Sequence, residues 1–349
     1  MAKYVGYVGT YTKQDSKGVY QFTLDTDNKE LRDVKLAAEL ENPTYVTVSD
    51  DDQNLYAVTK QGENGGVTAF SINEETGELT KLNSQTAAGS PPCHVSVDHG
   101  KSTVVTANYH TKNIASYLTK EDGSLNPATS VVEHEGTGPH ERQEKPHLHF
   151  AGFTPDENYV IAIDLGSDRV ITYAADHGKL TQVQVFNTPA GAGPRHITFH
   201  PNQKFAYVMT ELSSDVLVLH YDEKDGSFTE QQTISTIPDD FNETNDGSAI
   251  HISLDGQYVY AGNRGHNSIA VYKVDQDSGQ LTFMEWTSTE GNWPRDFVLD
   301  PSEEFLIATN QKSNTMTLFE RDKATGKLSL IQSGVHVPEP VCVKFIGGA

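Results

Sequence analysis

Residues 193–215 read GPRHITFHPNQKFAYVMTELSSD, which is two short apolar strands joined by a turn. The first strand begins at Arg195, and the His-Pro-Asn-Gln segment after it supplies turn residues. The second strand, FAYVMT, leads to Glu211. In an antiparallel hairpin of this length the start of one strand lies beside the end of the other. Arg195 and Glu211 are therefore predicted to share one edge.

The same hairpin pattern recurs along the chain, starting at residues 43, 92, 148, 247, 294 and 340. A third strand follows each full copy, then a turn rich in Asp and Gly, then a short fourth strand. Successive copies start 46 to 56 residues apart, and no segment has helical periodicity. This repeat predicts an all-β protein, a seven-bladed β-propeller of four-stranded antiparallel blades. A β-sandwich or two stacked β domains would not explain the regular spacing.

The two ends of the chain complement each other. The last copy, PVCVKFIG at 340–347, supplies only a first strand, whereas the N-terminal segment supplies the three strands that it lacks. We predict that N- and C-terminal strands share the seventh blade and close the ring, leaving no long exposed edge. A chain of 349 residues is too long for one undivided core, and a propeller accommodates residues 1–349 as a single domain.

Charge and cysteine content restrict the partners and the compartment. The net charge is −22, which disfavours nucleic acid and anionic membranes as partners. The two cysteines, Cys93 and Cys342, lie in apolar strands and are predicted to be buried thiols. The N-terminus reads as a strand rather than a signal peptide, and no apolar stretch reaches transmembrane length. We expect a cytoplasmic protein, monomeric or weakly homo-oligomeric, that acts on a small molecule.

One face of the predicted ring concentrates charged residues. The starts of the first strands and the ends of the second strands should meet there because those strands are antiparallel. The chain has only seven arginines, and three of them fall on this rim, which suggests a site for an anion. The alternative is that they pair with Glu211 and Asp164 merely to hold blades together. The charged rim positions are His149, Arg195, Glu211, Arg264 and Arg295.

The longest interval between copies contains HEGTGPHERQEKPHLH at 134–149, which is predicted to be a loop over the same face. Its chemically useful residues are Arg142, Gln143, His147 and His149. The His-x-His pair could bind zinc together with Asp164 or Glu211, but neighbouring arginines would repel the ion. The Asp/Gly turns lack the full ligand pattern of calcium loops. We predict no metal and no cofactor.

Several segments resemble the seven-bladed propeller lactonase family, which includes propeller-type 6-phosphogluconolactonases and carboxymuconate-lactonizing enzymes. They are GPHERQEKPHLHF, GPRHITFHP, AYVMTELSSDV, YVYAGNRGHNSIAVY and WPRDFVLDPSEEFLIATNQKSNTMTLF. The resemblance spans nearly the whole chain. It implies a metal-free enzyme acting on small anionic lactones or their open forms. It also implies that the catalytic cluster is His149, Arg195, Glu211 and Arg264.

The leading hypothesis is hydrolysis of a sugar lactone, 6-phosphogluconolactone, to 6-phosphogluconate. Water would be activated by Glu211 or His149, while Arg195 and Arg264 would stabilise the oxyanion and hold the phosphate. Glu211→Gln should then abolish lactone opening without disturbing the fold. The alternatives are a muconate-type lactonizing cycloisomerase and a non-catalytic binding propeller. The residues assigned to substrate binding are His147, Arg142, Gln143, Asn263 and Arg295.

Overall fold

The structure, a computed structural model, describes residues 3–347 and contains seven separate four-stranded sheets. Every pairing within a sheet is antiparallel, and no helix occurs in this range. The described part of the chain therefore has no helix with the length and hydrophobicity of a membrane-spanning segment. The predicted seven-bladed β-propeller is confirmed.

Each blade uses consecutive strands, ordered from the centre of the ring outwards. Blade 1 comprises β4 (Val46–Val48), β5 (Asn54–Gln61), β6 (Asn64–Ile72) and β7 (Leu79–Ala88). Blade 2 comprises β8 (His94–Val97), β9 (Thr103–Asn108), β10 (Asn113–Thr119) and β11 (Leu125–Glu133). Blade 3 comprises β12 (Leu148–Phe153), β13 (Tyr159–Asp164), β14 (Arg169–Asp176) and β15 (Lys179–Asn187).

The remaining blades follow the same plan, except for the last. Blade 4 comprises β16 (Pro194–Phe199), β17 (Phe205–Thr210), β18 (Asp215–Asp222) and β19 (Ser227–Ser235). Blade 5 comprises β20 (Asp246–Ile252), β21 (Tyr258–Arg264), β22 (Ser268–Val274) and β23 (Leu281–Ser288). Blade 6 comprises β24 (Pro294–Leu299), β25 (Phe305–Asn310), β26 (Thr315–Arg321) and β27 (Leu328–His336). Blade 7 comprises β28 (Pro340–Phe345), β1 (Lys3–Thr10), β2 (Gly18–Asp25) and β3 (Glu30–Glu39).

Blade 7 joins the two ends of the described chain. Strand β28 pairs with β1 in a register that sets Gly6 opposite Phe345 and Gly9 opposite Cys342. The predicted closure of the ring by N- and C-terminal strands is confirmed. Because β28 covers the inner edge of β1, blade 7 has the same four strands as the other blades.

Burial follows the position of a strand within its blade. The second strands β9, β17 and β25 are buried at every residue, because each lies between the two neighbouring blades. Outermost strands such as β19 alternate between exposed and less exposed residues, which is the period expected when one face meets solvent. The apolar runs of the sequence thus belong to the middle of each sheet.

The hydrophobic core is divided into seven clusters, one at each junction between neighbouring blades. The junction of blades 4 and 5, for example, packs Tyr207 and Val218 against Val259 and Tyr272. The other six clusters join the remaining neighbouring pairs in the same way. Because each blade packs against both of its neighbours, stability is distributed around the ring.

A repeated hydrogen bond reinforces six of these junctions. A hydroxyl in one blade donates to the carbonyl oxygen of a glycine in the outermost turn of the next blade. Each of these glycines has a positive φ, which the tight turn requires. The bonds join Tyr7 to Gly77, Tyr56 to Gly123, Ser116 to Gly178, Thr172 to Gly226, Tyr207 to Gly279 and Tyr260 to Gly326.

The seventh junction, between blades 6 and 7, has no such bond among residues 3–347. Lys29, with φ of 51°, takes the place of the turn glycine. Its Nζ forms an exposed ion pair with Glu320 at 2.7 Å. Exposed ion pairs contribute little to stability, so this junction depends on its apolar cluster and on the two hydrogen bonds between the Gln332 amide and the main chain of Leu31.

Removing one of the repeated bonds should destabilise the protein measurably. The Tyr207 hydroxyl donates to Gly279 O over 2.9 Å, and both groups are buried. We expect Tyr207→Phe to lower the free energy of unfolding by about 1–2 kcal/mol, because the carbonyl loses its partner away from water. Urea denaturation measures this loss. The control is Tyr4→Phe, whose hydroxyl has no hydrogen bond within the described residues; equal effects of the two changes would contradict the expectation.

Candidate active site

A β-bulge opens the innermost strand of several blades on one face of the ring. In β16, Pro194 pairs with Thr210 and His196 pairs with Met209, so Arg195 between them has no cross-strand partner. His149 in β12 and Arg295 in β24 occupy the same unpaired position. A bulge redirects the side chain of its extra residue, and such bulges are frequent beside active sites. The side chains of these bulge residues, which lie at the start of their copies, therefore point towards the same region of this face.

These residues border a cavity of about 360 Å³ at the centre of that face. All seven blades, or the segments leading into them, contribute to its wall. Of the residues assigned to the site from sequence, Arg142, His149, Glu211, Arg264 and Arg295 line it. The rest of the wall is Tyr11, Lys13, Asn42, Thr44, Ser90, Pro91, Pro92, Cys93, Tyr109 and His110.

Glu211 is the centre of an arginine cluster. Its Oε2 accepts hydrogen bonds from Arg264 at 2.7 Å and from the Nε of Arg195 at 3.1 Å. Its Oε1 accepts from Arg142, which also donates to Asp246 at 3.0 Å. The hairpin prediction that Arg195 and Glu211 share an edge is confirmed. The alternative that rim arginines pair with an acid is also correct for Glu211.

The arginines determine the charge of Glu211. Burial raises the pKa of its carboxyl, but the positive charges of Arg264, Arg195 and Arg142 outweigh burial and hold the pKa far below its usual value. Both oxygens are already engaged as acceptors. Glu211 is therefore a poor proton acceptor and a strong organiser of guanidinium groups.

His149, unlike Glu211, is held in its uncharged form. Burial, together with the positive charges of Arg195 and Arg295, lowers the pKa of its imidazole well below 6.5. The ring is therefore neutral at pH 7, and its buried Nδ1 has no hydrogen-bond partner within the described chain. A neutral imidazole on the cavity wall can accept a proton from water. Among the cavity groups, His149 is the better candidate for a base.

A layer of rings forms the floor below His149. The His149 ring lies 5.3 Å from the ring of His196, which lies 5.4 Å from that of His94. Tyr45 and Phe150 each approach His94 to 4.3 Å between ring centroids. Burial lowers the pKa of His94 to about 3, so the layer is uncharged there. The rings of Tyr45, His94, Phe150 and His196 also line a second, smaller cavity.

Arg295 differs from the other cavity arginines. It forms no ion pair or hydrogen bond within the described residues, and its guanidinium stands 5.4 Å from the centre of the Tyr11 ring. The Nζ of Lys13 stands 4.2 Å from the centre of the same ring. Lys13 also has no acidic partner for its side chain within residues 3–347. One side of the cavity thus has two cations without counter-ions.

Arg195 lies below the cavity rather than on its wall. It is 2% exposed and stacked behind Glu211, with its NH1 3.4 Å from the Nε2 of His196. Burial and the neighbouring arginines lower the pKa of its guanidinium to about 9. Its predicted contact with the oxyanion and phosphate is therefore replaced by a contact with Glu211.

His147 and Gln143 also lie outside the cavity lining. His147 stacks on Tyr109 at 4.1 Å and hydrogen-bonds its main-chain oxygen, so it supports a wall residue from behind. The buried Gln143 amide donates to Leu165 O and to Asp168, which fastens the 134–149 loop to blade 3. The structure gives both residues a supporting position in place of the predicted substrate contact.

Asn263 is likewise outside the cavity. Its side chain donates to Thr236 O and accepts from the Thr236 hydroxyl, both at 2.7 Å. The equivalent Asn108 and Asn310 anchor the chain leading into their own blades in the same manner. Because the same residue type recurs at this position in several copies, its role is structural. That recurrence was visible in the sequence and distinguishes Asn263 from its neighbour Arg264.

The sequence assignment missed Tyr11, Lys13 and Tyr109. Tyr11 and Tyr109 occupy the same position after the second strand as Glu211 and Arg264 do in their blades. That equivalence was a usable signal. Lys13 lies two residues further on, in a segment whose path the repeat does not determine.

The next feature is the possible metal site suggested by the His-x-His pair. Within residues 3–347, no three His, Cys, Asp or Glu side chains are grouped so as to hold an ion. His147 faces Glu144 at 3.2 Å, whereas His149 faces the cavity. The His-x-His pair therefore does not converge.

Comparisons with known proteins agree with the fold. The family model described as "Lactonase, 7-bladed beta-propeller" matches residues 5–345. The chain is 55% identical over 346 residues to a protein of Bacillus subtilis named 6-phosphogluconolactonase, covering 99% of both. It superposes on the crystal structure of a Lactobacillus plantarum protein with a TM-score of 0.95, at 42% identity and 99% coverage of both chains. The periplasmic gluconolactonase of Pseudomonas aeruginosa is 31% identical, with a TM-score of 0.93 and the same coverage.

Proposed function

The chain belongs to the seven-bladed β-propeller lactonase family, and we propose that it hydrolyses 6-phosphogluconolactone to 6-phosphogluconate. The observation that carries this proposal is the charge of the cavity. Its wall holds four cationic side chains and one carboxylate in a protein whose net charge is −22. Such a local reversal of charge favours a small, multiply anionic substrate.

The relatives named above support the substrate class. The Bacillus subtilis protein carries the name of an enzyme for a phosphorylated sugar lactone, and the Pseudomonas aeruginosa protein that of an enzyme for a gluconolactone. A phosphorylated lactone accounts better for the surplus of cations, because its phosphate is negatively charged at neutral pH.

We assign the proton transfers to His149. A water molecule attacks the ring carbonyl carbon and gives a proton to the neutral imidazole, which leaves a tetrahedral oxyanion. The ring carbon–oxygen bond then breaks, and the imidazolium returns the proton to the departing alkoxide. The low pKa of His149 keeps its imidazole in the neutral, proton-accepting form at pH 7. The product acid releases its own proton to solvent.

We assign stabilisation of the oxyanion to Arg264. Its guanidinium lines the cavity and is held by Glu211 at 2.7 Å and by Gly247 O at 2.6 Å. A donor fixed before the reaction stabilises developing charge without having to reorient. Glu211 contributes by holding Arg142, Arg195 and Arg264 together, in place of the base role open to it from sequence.

The proposal includes a cytoplasmic location. Cys93 and Cys342 are free thiols. Unpaired cysteines are usual in proteins of the reducing cytoplasm.

A direct assay tests the activity. The purified protein is mixed with freshly made 6-phosphogluconolactone, and proton release is followed in a pH-stat after subtraction of spontaneous hydrolysis. We expect kcat/KM of at least about 10⁴ M⁻¹s⁻¹, the lower range for enzymes acting on their own substrates. A carboxymuconate-type diacid serves as the parallel substrate. A rate equal to the spontaneous one, or turnover of the diacid alone, would contradict the proposal.

A further inference from the structure

The two cations without counter-ions stand on the same side of the cavity. Arg295 opens blade 6, and Lys13 follows the second strand of blade 7, so they come from adjacent blades. His149 and Glu211 belong to blades 3 and 4, on the far side of the ring. The cavity therefore has a side with unpaired positive charge, facing a side with the proton acceptor.

The guanidinium groups of the other arginines already bond to carboxylates. Arg142 bonds to Glu211 and Asp246, while Arg195 and Arg264 both bond to Glu211. An anion binding to those arginines would have to compete with a buried carboxylate. Arg295 and Lys13 have no ion pair or side-chain hydrogen bond within residues 3–347 with which an anion would compete, and the charged group of each stands over the face of Tyr11.

The position of Lys13 is fixed by its main chain. The main-chain N–H groups of Lys13 and Gln14 both donate to the carboxylate of Glu339, at 3.2 and 2.8 Å. Tyr11 N donates to Glu339 O at 3.1 Å, and Thr12 N donates to Asn42 at 3.0 Å. Four consecutive residues are therefore anchored, which places the lysine over Tyr11 although its side chain is exposed.

We infer that Arg295 and Lys13, on the two adjacent blades, form the binding site for the phosphate of a phosphorylated lactone. A guanidinium fork and a lysine ammonium are both well suited to a phosphate group. The phosphate and the carbonyl of the δ-lactone are only a few bonds apart, so a phosphate held there directs the carbonyl towards Arg264 and His149. The site thus selects phosphorylated over unphosphorylated lactones. This inference rests on the proposed function.

The test compares two substrates and two variants. We expect Lys13→Ala and Arg295→Gln each to lower kcat/KM for 6-phosphogluconolactone about 10- to 100-fold, the loss typical of one charge-assisted hydrogen bond. The kcat/KM for unphosphorylated glucono-δ-lactone should change less than about 3-fold, since that substrate has no group at this site. Lys17→Ala, an exposed lysine nearby in sequence, is the control. An equal loss on both substrates would overturn the inference, as would unchanged kinetics.

A binding measurement separates this inference from the proposed function. Titration calorimetry with inorganic phosphate should show binding to the wild-type protein and to Lys17→Ala, with dissociation constants at least about 10-fold weaker in both site variants. If the wild type hydrolyses neither lactone but phosphate binding depends on Arg295 and Lys13, the proposed activity is wrong and the phosphate site stands. If lactone hydrolysis is confirmed but phosphate binding is the same in all variants, the site is wrong and the activity stands.

Discussion

Replacing Glu211 by glutamine is expected to reduce kcat about 10³-fold, the scale seen when preorganised electrostatic stabilisation is lost. Glutamine has almost the same shape but no charge. Arg195 and Arg264 would then have no counter-ion, Arg142 would retain only Asp246, and Arg264 would lose its 2.7 Å anchor. The measurement is steady-state hydrolysis of 6-phosphogluconolactone with the spontaneous rate subtracted.

The same substitution should also destabilise the fold, in contrast to the expectation from sequence. Removing one partner of a buried ion pair typically lowers stability by about 3–5 kcal/mol, because the remaining charge is stranded. Here Glu211 and Arg195 are both about 2% exposed. We expect Glu211→Gln to fold at 25 °C but to unfold at a lower urea concentration. Because the pKa of Glu211 is lowered in the folded state, its contribution to stability is complete above pH 4.5 and is lost progressively as the pH falls from there through the folded-state pKa.

Two further variants distinguish a counter-ion from a base. Glu303→Gln replaces another paired carboxylate, which lies 3.4 Å from Arg321 and outside the cavity lining, and should leave kcat unchanged. Glu211→Ala leaves space beside the arginines, and chloride should restore part of its activity by neutralising them. Chloride is not an effective base at neutral pH. Wild-type turnover by Glu211→Gln would refute the central role of this residue.

Replacing His149 by glutamine is expected to lower kcat about 10²- to 10⁴-fold, the range that general acid–base catalysis contributes. The effect should fall on kcat more than on KM, because the imidazole is assigned to proton transfer rather than to binding. His336→Gln, on the exposed outer strand of blade 6, is the matched control. A kcat within about 3-fold of wild type would exclude His149 as the base.

The pH dependence provides a second readout for His149. Its pKa is lowered well below 6.5, so the free base that accepts the proton remains populated as the pH decreases through 6.5. Wild-type kcat should therefore stay nearly constant between about pH 8 and pH 6, with the loss at more acidic pH. The same shift affects stability. The free energy of unfolding decreases as the pH falls below about 6.5, because the unfolded chain then protonates this histidine and the folded chain does not. A fall in kcat centred on pH 6.5 would contradict the assignment.

The fold was predictable because it is repetitive. Seven copies of one hairpin pattern specify the blade, and the half copy at 340–347 specifies the closure. The hydrogen bonds from hydroxyl groups between blades were harder to predict, because the donor is tyrosine in some blades and serine or threonine in others. Each such position looks ordinary by itself and becomes recognisable only when neighbouring blades are placed side by side.

The site was predictable in so far as the repeat determines it. His149 and Arg295 occupy one repeated position, at the start of a first strand, and Glu211 and Arg264 another, at the end of a second strand; the antiparallel pairing brings both to one face. How deeply each side chain is buried was not predictable. Arg195 lies under Glu211, although it occupies the same bulge position in its copy as Arg295 does in another. The contribution of Lys13 was invisible too, because contacts to Glu339, distant in sequence, set its position.

Ring closure also determines when the site comes into existence during synthesis. Translation produces β1 first and β28 last, so the inner edge of β1 has no partner until residues 340–345 have left the ribosome. Glu339, which anchors Tyr11 and Lys13, emerges at the same late stage. A nascent chain that already holds six full blades therefore still lacks the ordered blade 7 wall of the cavity. Until β28 pairs with it, the open inner edge of β1 can pair with other chains, so ring closure also protects the protein from aggregation.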